Sequence, residues 1–198
     1  MKRKNKTLQK ALHNKSILIG TAMVLIVILA AILAPLLTPF NLDVMDMTNA
    51  LKAPDSLHCF GTDQYGRDLL TRIIYGARIS LIVGFISVFI SMIIGVALGL
   101  IAGYYGGIVD NIVGRMIDVF LSFPVLLLAI ALVAVLGAGT TSVIIALCVV
   151  QWTQYARVVR SSVLSIREEE YVMAARTIGA SNARIMFRYV LPNALAPV

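Results

Sequence analysis

Charge is what this sequence has least of. Lys, Arg, Asp and Glu make up 14% of its 198 residues, against about 25% in an ordinary globular domain. The hydrophobic share is 59% and the mean hydropathy +0.89, which is more apolar surface than one soluble core of this size can hide. A water-soluble globular domain is therefore excluded. Cysteine is nearly absent: Cys59 lies in a polar stretch and Cys148 in an apolar run, so no disulfide framework is indicated and the redox compartment is not readable. Histidine is confined to His13 and His58. His58 and Cys59 are neighbours, but two adjacent donors with no second pair nearby fall short of zinc-ligand spacing. No Gly-x-Ser-x-Gly elbow and no Gly-x4-Gly-Lys-Ser/Thr phosphate loop occurs. No catalytic constellation is present, and if ATP drives this protein another chain must bind it.

What is there is long charge-free runs. A bilayer core of about 30 Å takes about 20 helical residues. Residues 17–37 qualify as a first span behind a basic tail, 1–16, that holds Lys2, Arg3, Lys4, Lys6, Lys10 and Lys15. A signal peptide would share that basic start, but the run exceeds the usual h-region and leads into no small-residue cleavage site. A loop over 38–78 follows, then a second span over 79–103, a third from Ile117 or Val119 to Gly137, and a fourth over 140–156. The loop Gly137-Ala138-Gly139 permits only an antiparallel helix hairpin. The fold class is all-α, a polytopic helical membrane protein.

The basic excess of seven sits where it flanks spans. With the tail inside, residues 38–78 and the 137–139 turn lie outside, while 104–116 and 157–190 lie inside. Thirteen of the 17 basic residues are then cytoplasmic, as the positive-inside tendency requires. The outer loop keeps Lys52, Arg67, Arg72 and Arg78 against Asp43, Asp46, Asp55, Asp63 and Asp68. Neither basic cluster interleaves aromatics, so nucleic acid is not a partner.

Ser87, Ser91, Gly95, Gly99, Gly103 and Gly107 recur every four residues, a stripe of small side chains that lets another helix backbone come close. Pro124 in "FLSFPVLLLAIAL" removes a backbone donor and kinks or loosens the third helix; it serves either as a hinge or for packing alone. Asp118 reads as a helix-start residue that pairs with Arg115 or snorkels, and Asp110 as a loop residue. Bare spans speak against a secondary transporter or channel. Trp152 and Tyr155 fit an inner aromatic belt.

One stretch breaks the apolar pattern. In "EEEYVMAARTIGASNARIMFRYVLPN", Ser165-Ile-Arg-Glu168 reads as a capping box that starts a helix near Ser165, with Glu169 and Glu170 near its positive end. Tyr171, Ala174, Ala175 and Ile178 share a face at spacings of three and four. Gly179 suits the left-handed turn that ends a helix, Ser181 caps the next, and Pro192 marks the return to the membrane. Such a face fits a groove on a soluble partner or, through Arg176, Arg184 and Arg188, the lipid headgroups.

"YVMAARTIGASNARIMFRYVLPN" resembles the cytoplasmic signature loop of binding-protein-dependent ABC importer permeases: Glu-Ala-Ala, three residues, Gly, nine residues, Ile-x-Leu-Pro. The pattern falls on Met173-Ala174-Ala175, Gly179 and Tyr189-Val190-Leu191-Pro192, with Met173 in place of the glutamate and Tyr189 in place of the isoleucine. "FGTDQYGRDLLTRIIYGARISL" is similar to the segment before the second helix of dipeptide, oligopeptide and nickel permeases of the second-subunit type, with Cys59 where that subgroup usually has proline. The resemblance implies about six spanning helices, of which four are present, so the sequence reads as C-terminally incomplete, ending where a fifth span begins. It implies a second permease subunit, two cytoplasmic ATP-binding subunits and an external substrate-binding protein as partners, besides the lipid bilayer. ATP and Mg belong to the partner subunits; this chain binds no cofactor and no metal. The coupling loop, 157–192, then touches the ATPase through Tyr171, Met173, Ala174, Ala175, Ile178, Gly179, Leu191 and Pro192. Outside transport, a membrane scaffold is the remaining reading.

Overall fold

The computed structural model describes residues 14–42 and 44–196. Most of the basic tail, His13 and Asp43 lie outside the described residues. Regular structure among the described residues is helical, apart from an isolated antiparallel bridge between Thr62 and Asp68, in keeping with an all-α membrane fold. The chain divides into two compact units, Met1–Ile82 and Val83–Val198.

In the first unit, helix α1 spans Lys15–Ile32, with Asn14 accepting the Ser16 N–H at 3.1 Å as its cap. Its 18 residues reach about 27 Å. Apolar side chains project on all sides, and Ala31 is the buried exception in the helix. The helix breaks at Leu33 because Pro35 has no N–H to give the Ala31 carbonyl and its ring crowds that carbonyl; α2, Ala34–Leu37, follows with that proline in its first turn. Beyond it the chain forms a structured loop with a single 3₁₀ turn over Met47–Asn49.

Helix α3, Leu69–Tyr105, is 37 residues long and continues from the first unit into the second. The expected loop 38–78 therefore ends ten residues early. Arg72 and Arg78 disqualify residues 69–78 as a membrane span, but charge does not prevent a helix, and Asp68 supplies the cap that starts one.

In the second unit, Gly106 (φ 67°) and Gly107 (φ 55°) turn the chain into α4, Gly107–Leu121. The expected inner loop over 104–116 is thus mostly helix. The third span is two pieces: α4 meets α5, Val125–Leu136, at an angle of 87°. Pro124 lacks the N–H that would continue the ladder and disfavours helical geometry at Phe123, while the Ser122 hydroxyl donates to the Val119 carbonyl at 2.7 Å. Helix α6, Thr140–Ile166, pairs with α5 across the Gly137–Gly139 turn. It runs ten residues past the expected limit of 156, because Val159 and Val163 continue the helical period and pack into the core. Helix α7 (Glu170–Thr177), α8 (Asn182–Ile185), a π-helical stretch (Met186–Val190) and α9 (Leu191–Ala194) complete the unit. Helices α1, α3 and α6 are long and apolar enough to cross a membrane, and the bent α4–α5 pair makes a fourth candidate span.

Trp152 is buried beside Ala102, Val113, Ile117 and Ala156, with its ring edge-on to Phe120 at 5.7 Å. It is a core residue joining α4 to α6 and not a member of a lipid-facing aromatic belt.

Candidate functional site

The polar segment after α6 begins later than its sequence implies. Ser165 lies in the last turn of α6, its carbonyl accepting the Glu168 N–H at 3.3 Å. A capping serine must be extended, and the continuing helix denies it that geometry. Glu169 (φ −70°, ψ 145°) caps α7 with its backbone instead, and Glu170 and Arg176 occupy the first and last turns, where their charges oppose the helix dipole. Gly179 at φ 80° ends the helix. The Ala180 N–H reaches back to the Ala175 carbonyl at 3.1 Å and the Gly179 N–H to Arg176 at 3.0 Å, a Schellman closure. Ser181 caps α8 by accepting the Arg184 N–H at 3.4 Å. Pro192 has no N–H to give the Arg188 carbonyl and crowds it. The chain responds by widening, so that the Leu191 N–H bonds to Met186, five residues back.

The structure divides the proposed contact face. Val172 and Ala175 are buried against Leu100, Tyr104, Val159 and Val163, whereas Tyr171, Met173, Ala174 and Ile178 are exposed, Ile178 at 81%. At about 100° per residue, Ala175 stands on the border of the two faces, and the small methyl lets α7 sit close on the core. The outward surface is Tyr171, Ala174 and Ile178. Gly179 and Pro192 are exposed and Leu191 is half-buried. The segment is tied down at both ends: the Tyr104 hydroxyl donates to Asn182 Oδ1 at 2.9 Å, and Asn193 Nδ2 donates to the Tyr171 hydroxyl at 3.2 Å.

Along α3, the small-residue stripe faces α6. A Cβ at Gly99 would lie 2.6 Å from the Ala156 carbonyl oxygen, and one at Gly103 would lie 2.8 Å from Val163 Cβ; Gly95 meets the backbone of Trp152 and Ala156 in the same way. Ser87 and Ser91 are fully buried, and Cys148 Sγ donates to the Ser87 carbonyl at 3.7 Å. Gly107 falls outside the contact, with open space around it.

Two polar clusters escaped the sequence reading. Asp110 is not a loop residue: it sits in the first turn of α4 and pairs with Arg160 of α6, Arg160 Nη2 donating to Asp110 Oδ2 at 2.8 Å and Nε to Oδ1. Asp118, expected at a helix start beside Arg115, lies well inside α4. It has no ion pair with Arg115 among the described residues and faces the same cleft as Arg157 and Arg160. The signal available was the interval of four residues that links Asp110 to Gly114 and Gly114 to Asp118 on one side of a helix.

The second cluster is in the loop of the first unit. Asp68 accepts the Thr71 N–H at 2.8 Å and its hydroxyl at 2.7 Å, so capping α3, and meets His58 Nδ1 at 3.0 Å. His58 is buried and stacked on Phe40. Burial raises the Asp68 carboxyl, but the Thr71 and His58 hydrogen bonds outweigh it and hold it below the usual value. Asp55 is pulled down to about 2 by the His58 N–H and by Lys52. Asp63 binds the N–H groups of Tyr65 and Arg67 and the guanidinium groups of Arg67 and Arg72. A Cβ on Gly66 would collide with the Asp46 backbone. The polar residues of "GTDQYGRDLLTR" thus mostly serve to fold their own loop. Cys59 is exposed and Cys148 buried, both free.

A family model described as the binding-protein-dependent transport system inner membrane component matches residues 95–198. The chain belongs to that family. A second model, the N-terminal TM domain of oligopeptide transport permease C, matches residues 6–54. Among curated relatives, the chain is 48% identical over 185 residues to the dipeptide transport system permease protein DppC of Alkalihalophilus pseudofirmus, covering 93% of this chain and 61% of the relative. It is 38% identical over 185 residues to the oligopeptide transport system permease protein OppC of Bacillus subtilis, with the same coverage of 93% and 61%. To the di/tripeptide transport system permease protein DppC of Pseudomonas aeruginosa it is 39% identical over 196 residues, 96% of this chain and 65% of the relative. The chain spans less than two thirds of the length of these relatives. This member of the permease family is a multi-pass membrane protein.

Proposed function

We propose that the chain is a membrane-spanning subunit of an ATP-driven importer of peptides. With a second permease subunit it forms the translocation path, an external binding protein delivers substrate, and two cytoplasmic subunits hydrolyse ATP with Mg. The chain itself carries no catalytic or cofactor role. Peptides, not nickel, are the cargo that the names of its relatives favour. The observation that carries the coupling role is the exposed Tyr171–Ala174–Ile178 surface on α7. Buried Val172 and Ala175 fix that helix to the core, and the Gly179 turn presents it. A push on α7 from an ATPase cleft would pass directly to α6 and α3.

The orientation puts the N-terminus in the cytoplasm, supported by the distribution of basic residues. A membrane-impermeant maleimide added to intact cells should label Cys59 and should not label Ser181→Cys in a Cys59→Ser background; the opposite pattern refutes the orientation. For coupling, Ala174→Arg or Ile178→Arg places a charge on the docking face of the complete permease. Co-purification of the ATP-binding subunits should fall at least about 100-fold, since each 1.4 kcal/mol is tenfold. Arg184→Ala, on the basic side, should do much less. Docking that survives both α7 variants and fails with Arg184→Ala makes the segment a lipid-surface connector.

A further inference from the structure

Two cavities of the second unit share a wall. A polar one of about 240 Å³ lies between α4 and the charged end of α6, lined by Asp110, Asn111, Arg115, Asp118, Arg157 and Arg160. An apolar one of about 510 Å³ runs along α4 over Ile108, Ile112, Met116, Val119 and Phe120, and has Asn111 and Arg115 in common with the first.

The polar cavity is cationic. Asp110 neutralises Arg160, while Arg115 and Arg157 have no carboxylate at ion-pair distance among the described residues. Three guanidinium groups face two carboxylates there. Its depth follows from the neighbouring helices. The charge-free part of α6 ends at Arg157, and the α3 run ends near Gly103, whose carbonyl accepts Arg167 Nη1 at 2.9 Å. The cavity is thus at a membrane boundary. At that level Ile108, Ile112, Met116 and Val119 form an exposed stripe at helical spacing on the side of α4 turned away from the core. An amphipathic helix placed so lies among headgroups with its apolar side in hydrocarbon.

We propose that this paired cavity binds an anionic phospholipid. Arg115 and Arg157 hold its phosphate, and an acyl chain lies along Ile108, Ile112, Met116 and Val119. Guanidinium forks match phosphate oxygens bidentately, basic pockets at the headgroup level select acidic lipids, and the adjoining apolar groove specifies an amphiphile over a free anion. The site does not depend on the transport reading.

The test is native mass spectrometry of the chain in dodecyl maltoside, with phosphatidylglycerol or phosphatidylcholine of identical acyl chains added. Phosphatidylglycerol should be retained at least about tenfold more strongly, equivalent to 1.4 kcal/mol. Arg115→Gln with Arg157→Gln should abolish the preference. Asp118→Asn, which removes an opposing charge, should strengthen it; a purely structural role for Asp118 would not. If the double variant does not fold, Asp118→Asn together with Arg115→Lys, which keeps the charge and loses the fork, decides the matter by strengthening and weakening retention respectively. Equal retention of the two lipids by the unaltered chain overturns the proposal, as does displacement by inorganic phosphate, which marks a free-anion site, or by a tripeptide, which marks a peptide site. Retention indifferent to these substitutions overturns it equally.

Discussion

Arg160 on α6 grips Asp110 at the start of α4 through two parallel N–H···O bonds that join positions 50 residues apart in the chain. Both side chains are partly buried, at 31% and 16% exposure, so solvent replaces neither well. Asp110→Ala should lower stability by about 1–3 kcal/mol, because it leaves a desolvated guanidinium unpaired. Asp110→Asn should cost less, and exchanging the two residues should recover part of the loss. Thermal unfolding in detergent measures all three; a neutral Asp110→Ala would show that the pair contributes nothing.

The α3–α6 contact makes a sharper contrast. Gly99→Ala drives a methyl group into the Ala156 carbonyl and should destabilise by about 1–3 kcal/mol, as overpacking does. Gly84 lies in the same helix with nothing within 4 Å, so Gly84→Ala should be neutral or favourable by up to about 1 kcal/mol. Equal effects at the two sites would refute the close approach.

Acid should loosen the loop of the first unit before the helices. The Asp55 and Asp68 carboxyls lie below their usual value of 3.8 in the folded chain. Their stabilisation is therefore complete above that value and is lost as pH falls through the folded pKa, about 2 for Asp55. Hydrogen exchange, corrected for intrinsic rates, should show the Gly61, Thr62 and Leu69 amides, which the loop's own backbone bonds hold, losing protection in that window while α6 keeps its own. Unchanged loop protection down to about pH 2 would count against it.

At Gly179 the constraint is conformational alone, since φ is 80° and no atom lies within 4 Å of a built Cβ. Gly179→Val should weaken the α7–α8 turn by about 1–2 kcal/mol, and Gly179→Asn should be tolerated better. Limited proteolysis between Thr177 and Ser181 separates them.

Much of this architecture was legible because hydrocarbon is a simple solvent. Runs without charge gave α1, α3 and α6, and Gly137-Ala138-Gly139 gave the hairpin. Gly179 and Ser181 were readable because one residue's geometry or one hydroxyl decides each. The helices run beyond the charge-free spans, because charge limits a span and not a helix: α3 starts at Leu69, α4 at Gly107, and α6 outlasts Arg157. Ala175 was assigned outward because its spacing suits either side of α7, and only the position of Val159 and Val163 settles which. The Asp110–Arg160 and His58–Asp68 pairs join segments that no local pattern relates.

The break at Pro124 also has a consequence for hydration. Helix α5 has twelve residues, about 18 Å, and cannot by itself cross a hydrocarbon layer of about 30 Å. The N–H groups of Val125, Leu126 and Leu127 at its start find no backbone acceptor among the described residues, and hydrocarbon offers none. Water at the headgroup level, where α4 ends, must therefore meet these amides, and α5 dips only part of the way into the hydrocarbon from there.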